Sequence, residues 1–426
     1  MKLVTSKSRL EGKVKIPASK SHTIRAIAIA SIANGKSIIR QPLVSQDTLS
    51  AVECYRALGA DIDISNDKMW LVNGTSGKIE PLADKIDVGN SGTTLRIALG
   101  TAALAEQDKK ITFTGDKQIQ TRPLKPLVDA LNTLGAKCKS QNPQAKAPVE
   151  ISGTIKGGNV SISCPTSQFL TSLLLCCPLA QNDTQIHVTL LNEPGYVQMT
   201  LDWLDRQNIN YQHKNLTSFK IKGSQKYKSF DYTIPADFSS ATFFICAAAL
   251  FAEKVTIQGL DFSDSQPDKL VVDYLELMGA NIKKQDNNLI ITASQLTGAD
   301  IDMNQTPDAL PAMAVTAAFA KGKTRLFNVA QARNKETDRI KCMAQELNKI
   351  GIAAEEIEDG LIIEPGKISA AQVDGRDDHR IVMAMAIAGL GSDKPLEISS
   401  AQAMNVTFPD YVKLMNSIGA NMKITD

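Results

Sequence analysis

The sequence carries no surplus of either charge: 47 Lys plus Arg stand against 45 Asp plus Glu, a formal net charge of +2 over 426 residues. A nucleic-acid binder usually shows a broad basic excess, so any positive field here has to be local and pocket-sized. Long apolar runs are also missing. Every apolar stretch is interrupted well before the roughly 18 residues a membrane span needs, and no basic start leads into an apolar segment. Neither a span nor a signal peptide is expected, and a cytosolic protein is. Histidine is scarce, with His22, His187, His213 and His379 scattered, and the seven cysteines include no CxxC pair. That odd count fits reduced, mostly buried thiols better than a disulfide framework or zinc site, and no metal is expected.

What the chain does contain is a repeat. An amphipathic helix ending in glycine and followed by a short strand recurs as AVECYRALGADIDI, VDALNTLGAKCK, VDYLELMGANIKK, MAQELNKIGIAAEE and YVKLMNSIGANMKI, with the glycines at Gly59, Gly135, Gly279, Gly351 and Gly419. A helix C-terminus commonly needs one left-handed residue, which glycine adopts without strain. The doubled interval between Gly135 and Gly279 predicts a sixth copy near residue 207, where LDWLDRQNINYQ is the same helix without its glycine. Short β-branched segments between the helices, such as ITFTG, IHVTLL and LIITA, predict an α/β fold of layered helices and sheets. The chain is too long for one ordinary core. Pro17 and Pro235 are the natural crossings, giving one domain of residues 19–236 and another of 1–18 plus 237–426, three repeats each, with a ligand cleft expected between them.

Cations sit where helices begin, although a helix N-terminus already carries about half a positive charge. Arg333-Asn334-Lys335-Glu336-Thr337-Asp338-Arg339 reads as the first turns of an amphipathic helix, with Lys335 and Arg339 on one side. Ser19-Lys20-Ser21-His22-Thr23-Ile24-Arg25 opens another helix. Asn90-Ser91-Gly92-Thr93-Thr94-Leu95-Arg96 follows a strand and exposes backbone N–H groups able to cradle an oxyanion, but lacks the ending of a nucleotide-binding P-loop. Arg122-Pro123 reads as a helix start with proline in its usual first position. Asp377-Asp378-His379-Arg380 opens the last apolar helix. Lys20, Arg25, Arg96, Arg122, Lys335, Arg339 and Arg380 together imply small, multiply charged anionic ligands, because guanidinium forks hold carboxylates and phosphates bidentately. Asp308 and Glu336 are the acid-base groups among them, and Thr166-Ser167-Gln168 adds neutral hydrogen-bonding groups.

The segments VKIPASKSHTIRA, GNSGTTLR, TRPLKPLVDAL, TSQFLTSLL, TPDALPAMAVTAAFAKG, NKETDRI and DDHRIVMAMA resemble, in order and over essentially the whole chain, the signatures of the 3-phosphoshikimate 1-carboxyvinyltransferase (EPSP synthase) family. The resemblance implies two similar lobes, each of three βαβαββ copies. It also implies transfer of the enolpyruvyl group of phosphoenolpyruvate to the 5-hydroxyl of shikimate 3-phosphate, a step toward chorismate and aromatic amino acids that glyphosate inhibits. No cofactor, nucleic acid or membrane partner is implied, and a monomer is expected. Carried over by motif, Lys20, Ser21, Arg25, Thr166, Ser167, Gln168, Asp308, Gln331 and Lys335 would hold shikimate 3-phosphate. Lys20, Asn90, Gly92, Arg122, Gln168, Arg339 and Arg380 would grip phosphoenolpyruvate. Asp308 would take the proton of the attacking hydroxyl, with Lys20 and Glu336 moving protons at the vinyl carbon.

Three positions depart from the family pattern. Glu193 stands where many members have a serine touching the shikimate phosphate, so a carboxylate there should repel the ligand unless it turns away. Val406 replaces a frequent lysine, and Gln331 a frequent asparagine. The related transferase acting on UDP-N-acetylglucosamine typically has a reactive cysteine before the arginine matching Arg122; residues 115–121 contain none. A non-catalytic binder of phosphorylated ligands or RNA ends is the alternative from another class, and the near-neutral charge argues against it.

Overall fold

The structure, a computed structural model, describes residues 1–106, 109–369 and 372–426. Among these residues, the helices are α1 (Lys20–Ile32), α2 (Gln46–Ala57), α3 (Gly92–Ala102), α4 (Lys125–Thr133), α5 (Ser167–Cys176), α6 (Pro194–Arg206), α7 (Phe238–Phe251), α8 (Leu270–Leu277), α9 (Leu310–Ala318), α10 (Arg339–Lys349), α11 (His379–Leu390) and α12 (Tyr411–Ser417). The strands among them form six four-stranded sheets.

Each sheet belongs to one βαβαββ copy. In the copy around α3 and α4, strand Lys85–Asp87 runs parallel to Lys110–Thr114, a pairing that needs the crossover α3 supplies. After α4, strands Lys137–Ser140 and Val149–Ser152 pair antiparallel, and the latter also borders Lys110–Thr114. Three copies are completed from distant sequence. Asp231–Thr233 pairs with Lys36–Arg40, Leu10–Lys15 pairs with Ala252–Gln258, and Lys2–Ser6 lies between Leu396–Ile398 and Asn421–Thr425. The chain divides into two compact units, Ala18–Ile234 and Met1–Pro17 with Pro235–Asp426.

Within each unit the first helix of every copy is interior and the second is peripheral. Every residue from His22 to Ile32 of α1 is buried, as is every residue of α11. Such helices are apolar all round because they have no solvent face, whereas α4 and α10 show one apolar stripe. Helices α1, α3 and α5 pack about Ile24, Ile27, Leu95, Leu99, Leu170 and Leu173. Helices α7, α9 and α11 pack about Phe243, Phe244, Met313, Ile381 and Met385. Each such side chain stabilises its unit by roughly 1.5–3 kcal/mol, so the interior helices are the framework on which the polar N-terminal turns are carried.

The repeat signal has a direct backbone cause. Gly59, Gly135, Gly279, Gly351 and Gly419 follow their helices with φ of 105°, 113°, 93°, 87° and 94°, and in the glycine-less copy Asn208 takes the same role at 54°. Asparagine is among the few other residues that tolerate this conformation. Two expected helix starts fall elsewhere. Arg122 ends a 3-10 turn, Ile119–Thr121, and α4 begins at Lys125 with Pro126 in its first turn. Arg333 lies in a 3-10 segment, Ala330–Asn334, and α10 begins only at Arg339, so Lys335 and Glu336 precede the helix. All seven cysteines are free, with six buried and Cys342 half-buried. Burial pushes the Cys138, Cys164 and Cys246 thiols up to about 12, which makes them packing residues rather than nucleophiles.

Candidate active site

In the unit Ala18–Ile234, the N-terminal turns of the interior helices collect the predicted cations. Ser19 caps α1 by accepting from the His22 N–H at 3.4 Å. One turn on, Arg25 is 2% exposed. Its Nε donates to Thr200 Oγ1 at 3.0 Å, Nη1 to the Ser21 carbonyl at 3.1 Å, and Nη2 to the Tyr196 carbonyl at 2.9 Å and Thr171 Oγ1 at 3.5 Å. None of these acceptors is a carboxylate. Burial therefore dominates and depresses the guanidinium to about 10. Lys20, by contrast, has a counter-charge in Asp47, whose Oδ2 accepts from Nζ at 2.9 Å.

At the start of α3, Gly92 lets two further cations close in. A Cβ added there would lie 2.5 Å from Arg122 Nη1 and 2.9 Å from Arg96 Nη1. Two guanidiniums gathered at the first turn of a helix are an arrangement suited to an anion. Arg96 Nη1 also donates to Gln168 Oε1, and Gln168 Nε2 donates to Thr93 Oγ1 at 3.0 Å, which joins the starts of α3 and α5. Asn90 Nδ2 reaches Asp116 Oδ2 at 2.6 Å and Gln118 Oε1 at 2.8 Å, tying the glycine loop to the segment that carries Arg122. Glu193 does not turn away from Thr166 and Ser167. Its Oε2 accepts from Ser167 Oγ at 2.8 Å and from Ser167 N and Thr166 Oγ1, both at 3.2 Å.

In the other unit the predicted acids and cations converge on Asp308, which stands in a 3-10 turn, Pro307–Ala309, leading into α9. Asp308 Oδ1 faces Arg339 Nη1 at 2.7 Å and Lys335 Nζ at 3.6 Å, and Oδ2 faces Arg380 Nη2 at 3.2 Å. Burial alone would raise its pKa, but Arg380, Lys335 and Arg339 outweigh that and hold it far below the usual carboxylate range. Arg339 is 1% exposed; burial works against its charge, yet Asp378, Glu336 and Asp308 together raise its pKa. Its Nε reaches Asp378 Oδ2 at 2.8 Å and its Nη2 reaches Glu336 Oε2. Arg380 Nη2 also donates to Ser239 Oγ at 2.6 Å. Gln331 is buried in the 3-10 segment Ala330–Asn334, where its Nε2 bonds the Asn304 carbonyl at 3.0 Å. Val406 closes another such segment, Ala401–Val406, and adds no charge.

Over residues 4–415 the chain matches the family model of EPSP synthase (3-phosphoshikimate 1-carboxyvinyltransferase). The chain belongs to the EPSP synthase family. A relative from Acetivibrio thermocellus named 3-phosphoshikimate 1-carboxyvinyltransferase is 50% identical over 422 residues, covering 99% of both chains. One of the same name from Ruminiclostridium cellulolyticum is 49% identical over all of both. The solved EPSP synthase of Acinetobacter baumannii superposes with a TM-score of 0.83 at 25% identity, each chain fully covered. The two-lobe EPSP synthase fold of six βαβαββ copies is thus the fold of this chain.

Three further residues of this EPSP synthase family member, Asp47, Asp378 and Thr171, bond the candidate side chains. Asp47 follows Ser45 at a helix start, where an acid looks like ordinary first-turn chemistry. Asp378 caps α11, accepting from the Arg380 N–H at 2.9 Å, and so looks like a cap although it also holds Arg339. Thr171 is one of two adjacent polar residues, with Ser172, in the middle of α5, and nothing in the sequence distinguishes which of them faces Arg25.

Proposed function

We propose that this chain transfers the enolpyruvyl group of phosphoenolpyruvate to the 5-hydroxyl of shikimate 3-phosphate and releases phosphate. Beside the family membership, the observation that carries this reading is Arg25, a buried guanidinium held only by neutral acceptors among the described residues. A charge kept there without a counter-ion is explained by an anionic ligand that supplies one. Lys20, Ser21, Arg25, Thr166, Ser167 and Gln168 take the phosphate and hydroxyls of shikimate 3-phosphate, with Gln331, Lys335 and Asp308. Lys20, Asn90, Gly92, Arg122, Gln168, Arg339 and Arg380 take phosphoenolpyruvate.

In the reaction the 5-hydroxyl oxygen bonds to the C2 carbon of phosphoenolpyruvate while its proton passes to Asp308 and C3 gains a proton, giving a tetrahedral intermediate. Loss of a C3 proton then expels phosphate from C2, with Glu336 and Lys20 moving the protons at C3. Asp308, so strongly depressed by three cations, is a poor base in the unliganded chain. Substrate anions that engage Arg339, Arg380 and Lys335 neutralise those cations and restore its basicity, so substrate binding arms the base. Preset cations and N–H groups then stabilise charge developing on oxygen, the usual largest contribution to catalysis of this kind. The chemistry uses neither a metal nor an organic cofactor. The enzyme acts in the cytoplasm as a monomer.

The test is phosphate release from phosphoenolpyruvate with shikimate 3-phosphate and UDP-N-acetylglucosamine offered separately. Release only with shikimate 3-phosphate is expected. Release with the nucleotide sugar, or with no acceptor, would overturn the reading.

A further inference from the structure

Glu193 is the first residue after a short loop from strand Thr184–Leu191 and the last before α6, and its φ of 59° is left-handed, a conformation glutamate does not favour. Its side chain is 1% exposed. The carboxylate is aimed at the start of α5, where Oε2 accepts from the Ser167 N–H, the Ser167 hydroxyl and the Thr166 hydroxyl. Backbone N–H, helix dipole and two hydroxyls at one point make a cradle for one oxyanion, and the chain's own carboxylate occupies it. On the reading above, the same donors receive the phosphate of shikimate 3-phosphate.

Glu193 is also joined to Arg25. Its carbonyl accepts from the Tyr196 N–H at 3.1 Å in the first turn of α6, and the Tyr196 carbonyl in turn accepts from Arg25 Nη2 at 2.9 Å. Thr200, one turn further along, accepts from Arg25 Nε. The residue whose carboxylate fills the cradle is thus, through its backbone, part of the turn that holds the buried guanidinium.

We propose that Glu193 is a specificity-determining residue: an internal carboxylate that fills the Thr166–Ser167 cradle and must be displaced before the phosphate of the acceptor substrate can enter. Only an anion able to replace a buried carboxylate at three donors, and to draw on Arg25 at the same time, succeeds. Dianionic phosphate does so; a substrate carrying a carboxylate or hydroxyl in place of phosphate does not. The inference rests on the proposed reaction.

Glu193→Gln removes the charge at nearly constant shape, and Glu193→Ser empties the cradle. Both are expected to lower KM for shikimate 3-phosphate about tenfold or more, with KM for phosphoenolpyruvate at saturating shikimate 3-phosphate changed less than twofold. Titration of the free variants with inorganic phosphate is expected to show binding at least about tenfold tighter than to the wild-type chain. Unchanged or weaker affinity for both ligands in a folded Glu193→Gln variant overturns the proposal, since Glu193 is then only a cap for α5. The two ideas fail separately. Loss of the acceptor requirement in wild-type phosphate release sinks the reaction, while the inorganic phosphate titration still decides the role of Glu193.

Discussion

Replacing Arg25 by methionine is expected to make the unliganded protein more stable and to remove most of its affinity for shikimate 3-phosphate. Depression of the guanidinium to about 10 corresponds to about 3 kcal/mol acting against the charged form at neutral pH. The sign follows from the direction. A cation whose folded pKa is lowered destabilises the fold wherever it stays protonated, and that penalty is relieved only as pH rises above about 10. Methionine is long, unbranched and adaptable enough to fill much of the channel. The acceptors left behind have other partners: Thr171 and Thr200 bond each other at 3.0 Å, and Thr200 Oγ1 donates to the Tyr196 carbonyl at 3.2 Å. Imperfect packing offsets part of the gain, which leaves a net stabilisation of about 1–2 kcal/mol. For a unit of this size that is an increase of about 3–6 °C in the midpoint of its thermal transition. Loss of two charge-assisted hydrogen bonds to phosphate should weaken shikimate 3-phosphate binding about 100-fold. Calorimetric unfolding without ligand and isothermal titration with it give both numbers. A variant that melts below the wild-type chain, or binds within threefold of it, would refute the reasoning that this charge is kept at a stability cost for an anion.

Gly92→Ala should leave the fold intact, since no left-handed backbone is needed there, yet push Arg122 and Arg96 away from the start of α3. Displacement of a positioning guanidinium by about 1 Å predicts a drop of roughly 10–100-fold in kcat/KM for phosphoenolpyruvate, measurable by phosphate release. Asp308→Asn should reduce turnover by at least about 100-fold and also destabilise its unit by about 3 kcal/mol, because Arg339, Arg380 and Lys335 lose a shared counter-charge. The depressed pKa of Asp308 means that its stabilising contribution is fully present above about pH 4 and lost as pH falls below it. Urea midpoints measured from pH 6 to pH 3 should therefore fall more steeply for the wild-type chain than for Asp308→Asn. Asn208→Ala should lower stability by about 1 kcal/mol, because alanine tolerates the left-handed position after α6 less well than asparagine does. Asn208→Gly should not lower it.

Much of the fold was legible because its signals are local. A helix that must end within one residue calls for glycine or asparagine, and an interior helix must be apolar on all sides; both leave marks within a dozen positions. Strand exchange left none: nothing within Asp231–Thr233 indicates that it pairs with Lys36–Arg40 rather than with a nearer strand. At the candidate site the cations were legible as residue types in a pattern, and two of their helix starts were misplaced. Pro123 suggests a helix start, but α4 starts two residues on at Lys125 with Pro126 second, and a 3-10 segment ending at Asn334 precedes the helix that the run from Arg333 suggests. Lys335 and Arg339 nonetheless face one carboxylate, because Asp308 gathers them.

The sequence by itself determined the repeat, the apolar helices, the recurrence of cations near helix starts and the family. Those are properties of single residues and of neighbours along one helix. Tertiary structure alone decided which charges are already compensated. Asp47 answers Lys20 across 27 residues, Asp308 answers Arg339 across 31, and Asp378 answers Arg339 across 39, while Arg25 has neutral partners and the Glu193 carboxylate bonds Thr166 and Ser167. Electrostatic energies depend on separation in space and on burial, and neither is a function of distance along the chain.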